Sequence, residues 1–121
     1  MPITGTGDDT RDFTYVGDIV EGLLAMAYHP KAIGEAFNLA TGREIRISDL
    51  AKWVNEITGN SAGIDYIDRR NWDKKNRLLA SIDRAKRVLR YKPSMDFRNG
   101  LLKTHGWFEV NWENIARSAE F

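Results

Sequence analysis

Apolar residues recur along the chain in blocks spaced either by two or by three to four, and the switches between these spacings predict the order of elements. Ile19, Val20, Leu23, Leu24 and Ala27 repeat at helical intervals, which predicts a helix that stops at His29-Pro30. Leu50, Trp53, Val54 and Ile57 form a second stripe, with Ser48 as its expected N-cap and Gly59 as its stop. A third stripe, Ile82, Ala85, Val88 and Leu89, follows Ser81 as a capping residue and ends at Tyr91-Lys92-Pro93. Phe97, Leu101, Phe108 and Trp112 lie near one stripe of a fourth helix that opens at about Ser94 or Asp96. Gly100 and Gly106 weaken that helix, and the tail beyond about Glu113 is expected to fray. Alternation with period two predicts strands at Asp12–Val16 and Gly63–Asp68, and the short block Ala36–Ala40 before the Thr41-Gly42 turn reads as a third. The expected fold is α/β in the sense of an α+β lobe, mainly helical with three short strands, and a single domain over residues 1–121.

Composition narrows the chemistry. The 121 residues include no cysteine, which removes disulfide scaffolds, thiolate metal sites and cysteine nucleophiles. Eighteen Lys and Arg against 17 Asp and Glu leave a net charge of +1, too small an excess for a chain that coats nucleic acid or anionic membrane. Single-strand binding with Trp72 as a stacking platform is disfavoured for the same reason. No apolar run approaches the roughly 20 residues of a membrane span, and no basic segment followed by an apolar run opens the chain, so the expected location is the cytoplasm.

His29 and His105 are read as carrying neither a metal nor a catalytic role. Gly5-Thr6-Gly7 reads as a surface turn, because the third glycine of a dinucleotide loop is missing. The densest charge run, Arg69 to Arg77, is more informative. It sets two consecutive arginines, an aromatic residue and an acid between a strand and a helix. Arginine forks suit phosphate and a nearby carboxylate suits sugar hydroxyls; the plain alternative is a solvated surface loop.

Three stretches carry a resemblance: Thr10-Arg11-Asp12-Phe13-Thr14-Tyr15-Val16-Gly17-Asp18-Ile19-Val20, then Glu35-Ala36-Phe37-Asn38-Leu39-Ala40-Thr41-Gly42, then Arg69-Arg70-Asn71-Trp72-Asp73 running on to Ala80-Ser81-Ile82-Asp83-Arg84-Ala85-Lys86. In this order and spacing the chain resembles the C-terminal part of extended short-chain dehydrogenases/reductases. More closely, it is similar to the NAD-dependent nucleotide-sugar epimerase/dehydratase family, of the UDP-glucose 4-epimerase type, from about Ile3 to about Trp112. The resemblance implies a substrate-binding lobe that packs beside a Rossmann domain. It also implies that Arg11 and Arg70 hold the diphosphate of a nucleotide sugar and that Asp73 contacts the ribose. Arg69 stands one residue out of register with that motif. For Arg11 the alternative is a structural salt bridge to Asp12 or Asp18, and Asn38 reads as a turn residue that satisfies backbone. Ser81 stands where many relatives carry Asp; either residue can cap.

The departures from the family pattern shape the expected function. The glycine-rich dinucleotide turn is absent, and Tyr15, Tyr28, Tyr66 and Tyr91 are followed four positions later by Ile19, Ala32, Arg70 and Met95, so no Tyr-x-x-x-Lys pair exists. No residue is assigned as catalytic. The expectation is a C-terminal fragment, inactive in isolation, that binds no cofactor or metal itself, NAD belonging to the complete NAD-dependent isomerase or dehydratase. The expected partners are a nucleotide sugar and the missing Rossmann domain. Self-association is expected through an exposed strand edge at Phe37-Asn38-Leu39 and neighbouring helix faces. The competing expectation is a free-standing interaction or assembly module derived from the same lobe.

Overall fold

The computed structural model describes residues 1–72 and 74–118. Four helices and two small sheets are arranged in the order β1 (Pro2–Thr4), β2 (Thr10–Arg11), α1 (Val16–Tyr28), a 3-10 turn (Pro30–Ala32), β3 (Ile45–Arg46), α2 (Ile47–Thr58), β4 (Asp65–Ile67), β5 (Arg77–Leu78), α3 (Asp83–Leu89) and α4 (Phe97–Ser118). β1 pairs in parallel with β4, Ile3 opposite Tyr66. In the second sheet β2 is central, antiparallel to β3 with Arg11 opposite Ile45, and parallel to β5 with Thr10 opposite Arg77. The mainly helical α+β lobe expected from the periodicity is the architecture observed. Among the described residues no helix is long and apolar enough to cross a membrane.

α2 follows its sequence signals closely. It ends at Gly59, whose φ of 64° is the left-handed conformation that favours glycine, and whose N–H reaches back to the carbonyls of Asn55 and Glu56. Arg46 rather than Ser48 occupies its cap position, and the Ser48 amide instead donates to Gly7 O at 2.9 Å. Gly7 itself has φ +80°, and a Cβ there would stand 2.9 Å from Ile3 Cδ1, so the turn between the two sheets requires glycine twice over. Ser81 lies one residue before the cap position of α3; its hydroxyl donates to Asp83 Oδ2 at 2.9 Å. α3 closes at Arg90, and α4, expected to fray near Glu113, continues to Ser118.

Strand assignments differ more. The strand expected at Asp12–Val16 is displaced to Thr10–Arg11. The carboxylate of Asp12 is taken up by the amides of Thr41 and Gly42 at 3.0 and 2.9 Å, and Tyr15 already occupies the cap of α1. Ala36–Ala40 is not a strand. No partner strand runs beside it among the described residues, and its apolar side chains are placed by packing instead: Phe37 and Leu39 lie against the buried cluster of Ala85, Leu89 and Tyr91. β1, β3 and β5 are two or three residues long, below the length at which alternation is visible.

α1 leaves much of its apolar stripe uncovered. Its buried residues are Asp18 and Gly22, and Ala25 and Met26 face the core, whereas Val20 and Leu23 are 48% and 52% exposed. Gly22 faces inward because the Leu39 side chain occupies the space a Cβ would need, 2.7 Å away. Buried Asp18 fastens the start of α1 to the approach of α4 by accepting from the amides of Ser94 and Met95 at 2.9 and 3.2 Å. Burying a carboxylate is favourable only with such partners.

Candidate functional site

The three-stranded sheet carries the candidate site. Successive side chains of an extended segment point to opposite faces, so Asp9 and Arg11 share one face at β2 and Thr10 takes the other. On the second face, the Thr10 hydroxyl donates to Glu44 Oε1 at 2.7 Å, while Arg77 on β5 donates through Nε and Nη2 to the two Glu44 oxygens, each at 2.7 Å. The paired Arg77 bonds, then the Thr10 bond, pull the Glu44 carboxyl from 4.5 down to about 2. Glu44 immediately precedes β3, so this one carboxylate ties all three strands together.

On the first face, two guanidinium groups converge on Asp9. Arg69 donates through Nη2 to Asp9 Oδ2 and through Nη1 to Asn76 Oδ1 at 2.6 Å. Arg11 Nη2 stands 3.9 Å from the same Asp9 oxygen and donates to Lys75 O at 3.2 Å, and Arg11 Nη1 donates to Thr10 O at 2.8 Å. The Nε of Arg69 is buried and has no acceptor among the described residues. Arg11 is therefore engaged with Asp9, not with the Asp12 or Asp18 that the sequence suggested.

Of the three residues singled out as a substrate site, Arg11 lies at this cluster and Arg70 does not join it. Arg70 is exposed, its guanidinium 5.4 Å from the centre of the Trp72 ring. Asp73 lies outside the described residues. The residues the fold brings to Arg11 are Asp9 and Arg69, the arginine that stands out of register with the motif. Asp9 had a signal, because it stands two residues before Arg11 in an extended run, the spacing that shares a face.

Beyond Arg11 the chain borders a cavity of about 260 Å³, lined among others by Phe13, Arg43, Ile45, Leu50, Phe97 and Leu101. Phe13 and Phe97 stack at 5.5 Å and fix one wall. Asn38 satisfies a backbone carbonyl, donating to Ser81 O at 3.2 Å. Tyr91 is buried with its hydroxyl unpartnered among the described residues; burial first, then the charges of Asp18, Asp12 and Glu21, raises its pKa. His29 Nδ1 accepts from the Lys31 amide, and His105 Nδ1 lies 3.6 Å from Glu109, a pairing one turn along that the sequence reading missed. Among the described residues no group of three or more His, Cys, Asp or Glu gathers to hold a metal.

A family model described as GDP-mannose 4,6 dehydratase matches residues 1–104. The chain is 33% identical over 117 residues to a UDP-glucuronate 4-epimerase of Thermodesulfobacterium geofontis, covering 95% of this chain and 35% of that protein. Among solved structures, the epimerase Mth375 of Methanothermobacter thermautotrophicus superposes with a TM-score of 0.93 at 55% identity, covering 99% of this chain and 36% of the other. The UDP-glucuronic acid 4-epimerase of Bacillus cereus, in complex with UDP-glucuronic acid and NAD, gives 0.73 at 31% identity over 83% of this chain and 32% of that one. The chain thus spans about a third of the length of these relatives.

Proposed function

The chain belongs to the GDP-mannose 4,6 dehydratase family of short-chain dehydrogenases/reductases, the NAD-dependent nucleotide-sugar epimerases and dehydratases, and from that membership we propose that it is the nucleotide-sugar-binding lobe of such an enzyme. The observation that carries the reading is the docking of Arg11 on the loop after β4. Its guanidinium donates to Lys75 O at 3.2 Å, so a cation from β2 is fastened to the loop that carries Arg69 and Arg70. Guanidinium groups from two segments can grip a diphosphate from two sides, and their planar forks match its oxygens. In this reading Arg11 and the Arg70–Asp73 loop hold diphosphate and ribose. The apolar cavity beyond Phe13 gives the bound molecule a wall. The lobe is inactive alone and binds no NAD itself: hydride transfer and the Tyr-x-x-x-Lys pair reside on protein outside these 121 residues, as does the dinucleotide domain.

Isothermal titration with UDP-glucose tests this. Wild type is expected to bind, and Arg11→Ala to lower affinity about tenfold or more, the loss of a charge-assisted bidentate contact. Unchanged affinity in both Arg11→Ala and Arg70→Ala contradicts the reading.

A second reading, an interaction or assembly module, draws on the exposed face of α1, where Val16, Val20, Leu23, Leu24 and Tyr28 line up on the outside. In the first reading the dinucleotide domain covers this face; in isolation it supports self-association of the lobe.

A further inference from the structure

The first turn of α4 contains the one asparagine of the chain that is followed by glycine, Asn99-Gly100. In such a pair the glycine nitrogen can attack the asparagine side chain, because no Cβ stands in its way. We propose that Asn99 is a site of spontaneous deamidation, held back by the first turn of α4, and that its isoaspartyl product unlatches α4 from α2. The proposal stands independently of the nucleotide-sugar reading above.

The reaction needs only water as co-reactant. The Gly100 nitrogen forms a bond to Asn99 Cγ, the Cγ–Nδ2 bond breaks, and the amide group leaves as ammonia with the proton that Gly100 gives up. The product is a cyclic succinimide. Water then opens the ring at either carbonyl. Opening at Cγ leaves a normal backbone with an aspartate side chain; opening at the main-chain carbonyl leaves isoaspartate, whose backbone runs through Cβ and Cγ. Either way water is taken up, ammonia is released, nothing is oxidised or reduced, and the chain gains a negative charge.

The fold supplies both access and restraint. Asn99 is exposed, so water and leaving ammonia reach it freely. Its nucleophile is not free. The Gly100 amide donates to Asp96 O at 2.8 Å, and the Asn99 amide donates to Asp96 Oδ1 at 3.2 Å, so Asp96 caps the turn and holds both residues in helical conformation. Ring closure requires the Gly100 bond to break and ψ of Asn99 to leave its helical value, so the reaction passes through local opening of this turn. The neighbours set the consequence. Phe97 meets Phe13 at 5.5 Å and Trp53 at 5.4 Å, and Arg98 Nη2 donates to both Glu56 oxygens at 2.9 Å. Gly100 is buried, and even a Cβ there would stand 3.2 Å from Met95 Cγ and 3.4 Å from Tyr15 Cδ2. An extra backbone carbon at position 99 drives Gly100 against these walls and puts Phe97 and Arg98 out of step with the rest of the helix. The contacts that join α4 to α2 through Trp53 and Glu56 are then lost.

The test incubates the whole chain at mildly alkaline pH, folded and in urea, and follows isoaspartate at each asparagine by peptide mass spectrometry in wild type, Asp96→Ala and Asn99→Ser. In urea Asn99 is expected to convert faster than any other asparagine of the chain. In the folded wild type it converts at least about tenfold more slowly. Asp96→Ala raises the folded rate about fivefold through loss of the cap and leaves the rate in urea unchanged. Where Asp96→Ala fails to fold, urea below the unfolding midpoint of wild type carries the same expectation, a folded rate that climbs with denaturant. Hydrogen exchange of the purified isoaspartyl protein should be faster along the first turns of α4 than in Asn99→Ser, which keeps the normal backbone. A folded rate equal to that in urea, or one that neither Asp96→Ala nor mild urea accelerates, overturns the restraint. An isoaspartyl protein whose α4 exchanges as slowly as that of Asn99→Ser overturns the unlatching.

Discussion

α1 and α2 carry comparably clear apolar stripes, and the structure treats them oppositely. The stripe of α2 is half-buried, with Trp53 meeting Phe97 of α4 at 5.4 Å, and Ala51 beside it is 1% exposed. The stripe of α1 faces outward, and the helix adheres through its small side, where Gly22 makes room for Leu39 and Ala25 and Met26 touch the buried cluster. Periodicity says that a face wants cover, and neighbours decide whether it has any. α2 has α4 within reach in the same lobe. α1 has α3 against its small side and, among the described residues, no helix across its stripe.

The comparison can be broken by putting the same charge on each helix. Ala51→Asp places an unpaired carboxylate in the sheltered face of α2 and is expected to cost about 3–5 kcal/mol of stability in urea unfolding. A cost near zero means that α2 is not held as described. A gentler probe acts on the sheet that leads directly into α2. Because the folded protein holds Glu44 at about 2 against an ordinary 4.5, its ion pair stabilises the fold fully above about pH 4.5 and is lost as the pH falls towards 2. Urea midpoints measured across that window should fall for wild type and fall less for Glu44→Gln; parallel curves contradict the strap. The smallest expected effect on stability is at Leu23→Asp, within about 0.5 kcal/mol, since that side chain is already in solvent. Light scattering should nevertheless show this variant monomeric at concentrations where wild type associates, and association equal to wild type removes α1 as the sticky face.

How much of this was legible in the sequence follows from the range of each signal. α2 with its glycine stop, α3 with its end before Pro93, and α4 opening at Asp96 depend on caps and periodicity within one element, and they are read correctly. The direction in which α1 faces depends on Leu39, seventeen residues from Gly22, and nothing local to the helix reports it. Ala36–Ala40 has the composition of a strand, but a strand needs a partner, and composition does not supply one. At the site, the contact of Arg69 with Asp9 was not legible, because adjacent residues of an extended loop point opposite ways and only the fold says which side faces Asp9.

The central claim is that this lobe grips a diphosphate through arginines, and it is tested most directly by comparing the affinities of UDP and uridine for the intact chain at low and high salt. The account predicts that UDP binds at least about tenfold more tightly than uridine. That advantage should shrink as salt screens the guanidinium groups and vanish in Arg11→Ala. Equal affinity for UDP and uridine at low salt, or an advantage that survives Arg11→Ala undiminished, contradicts it.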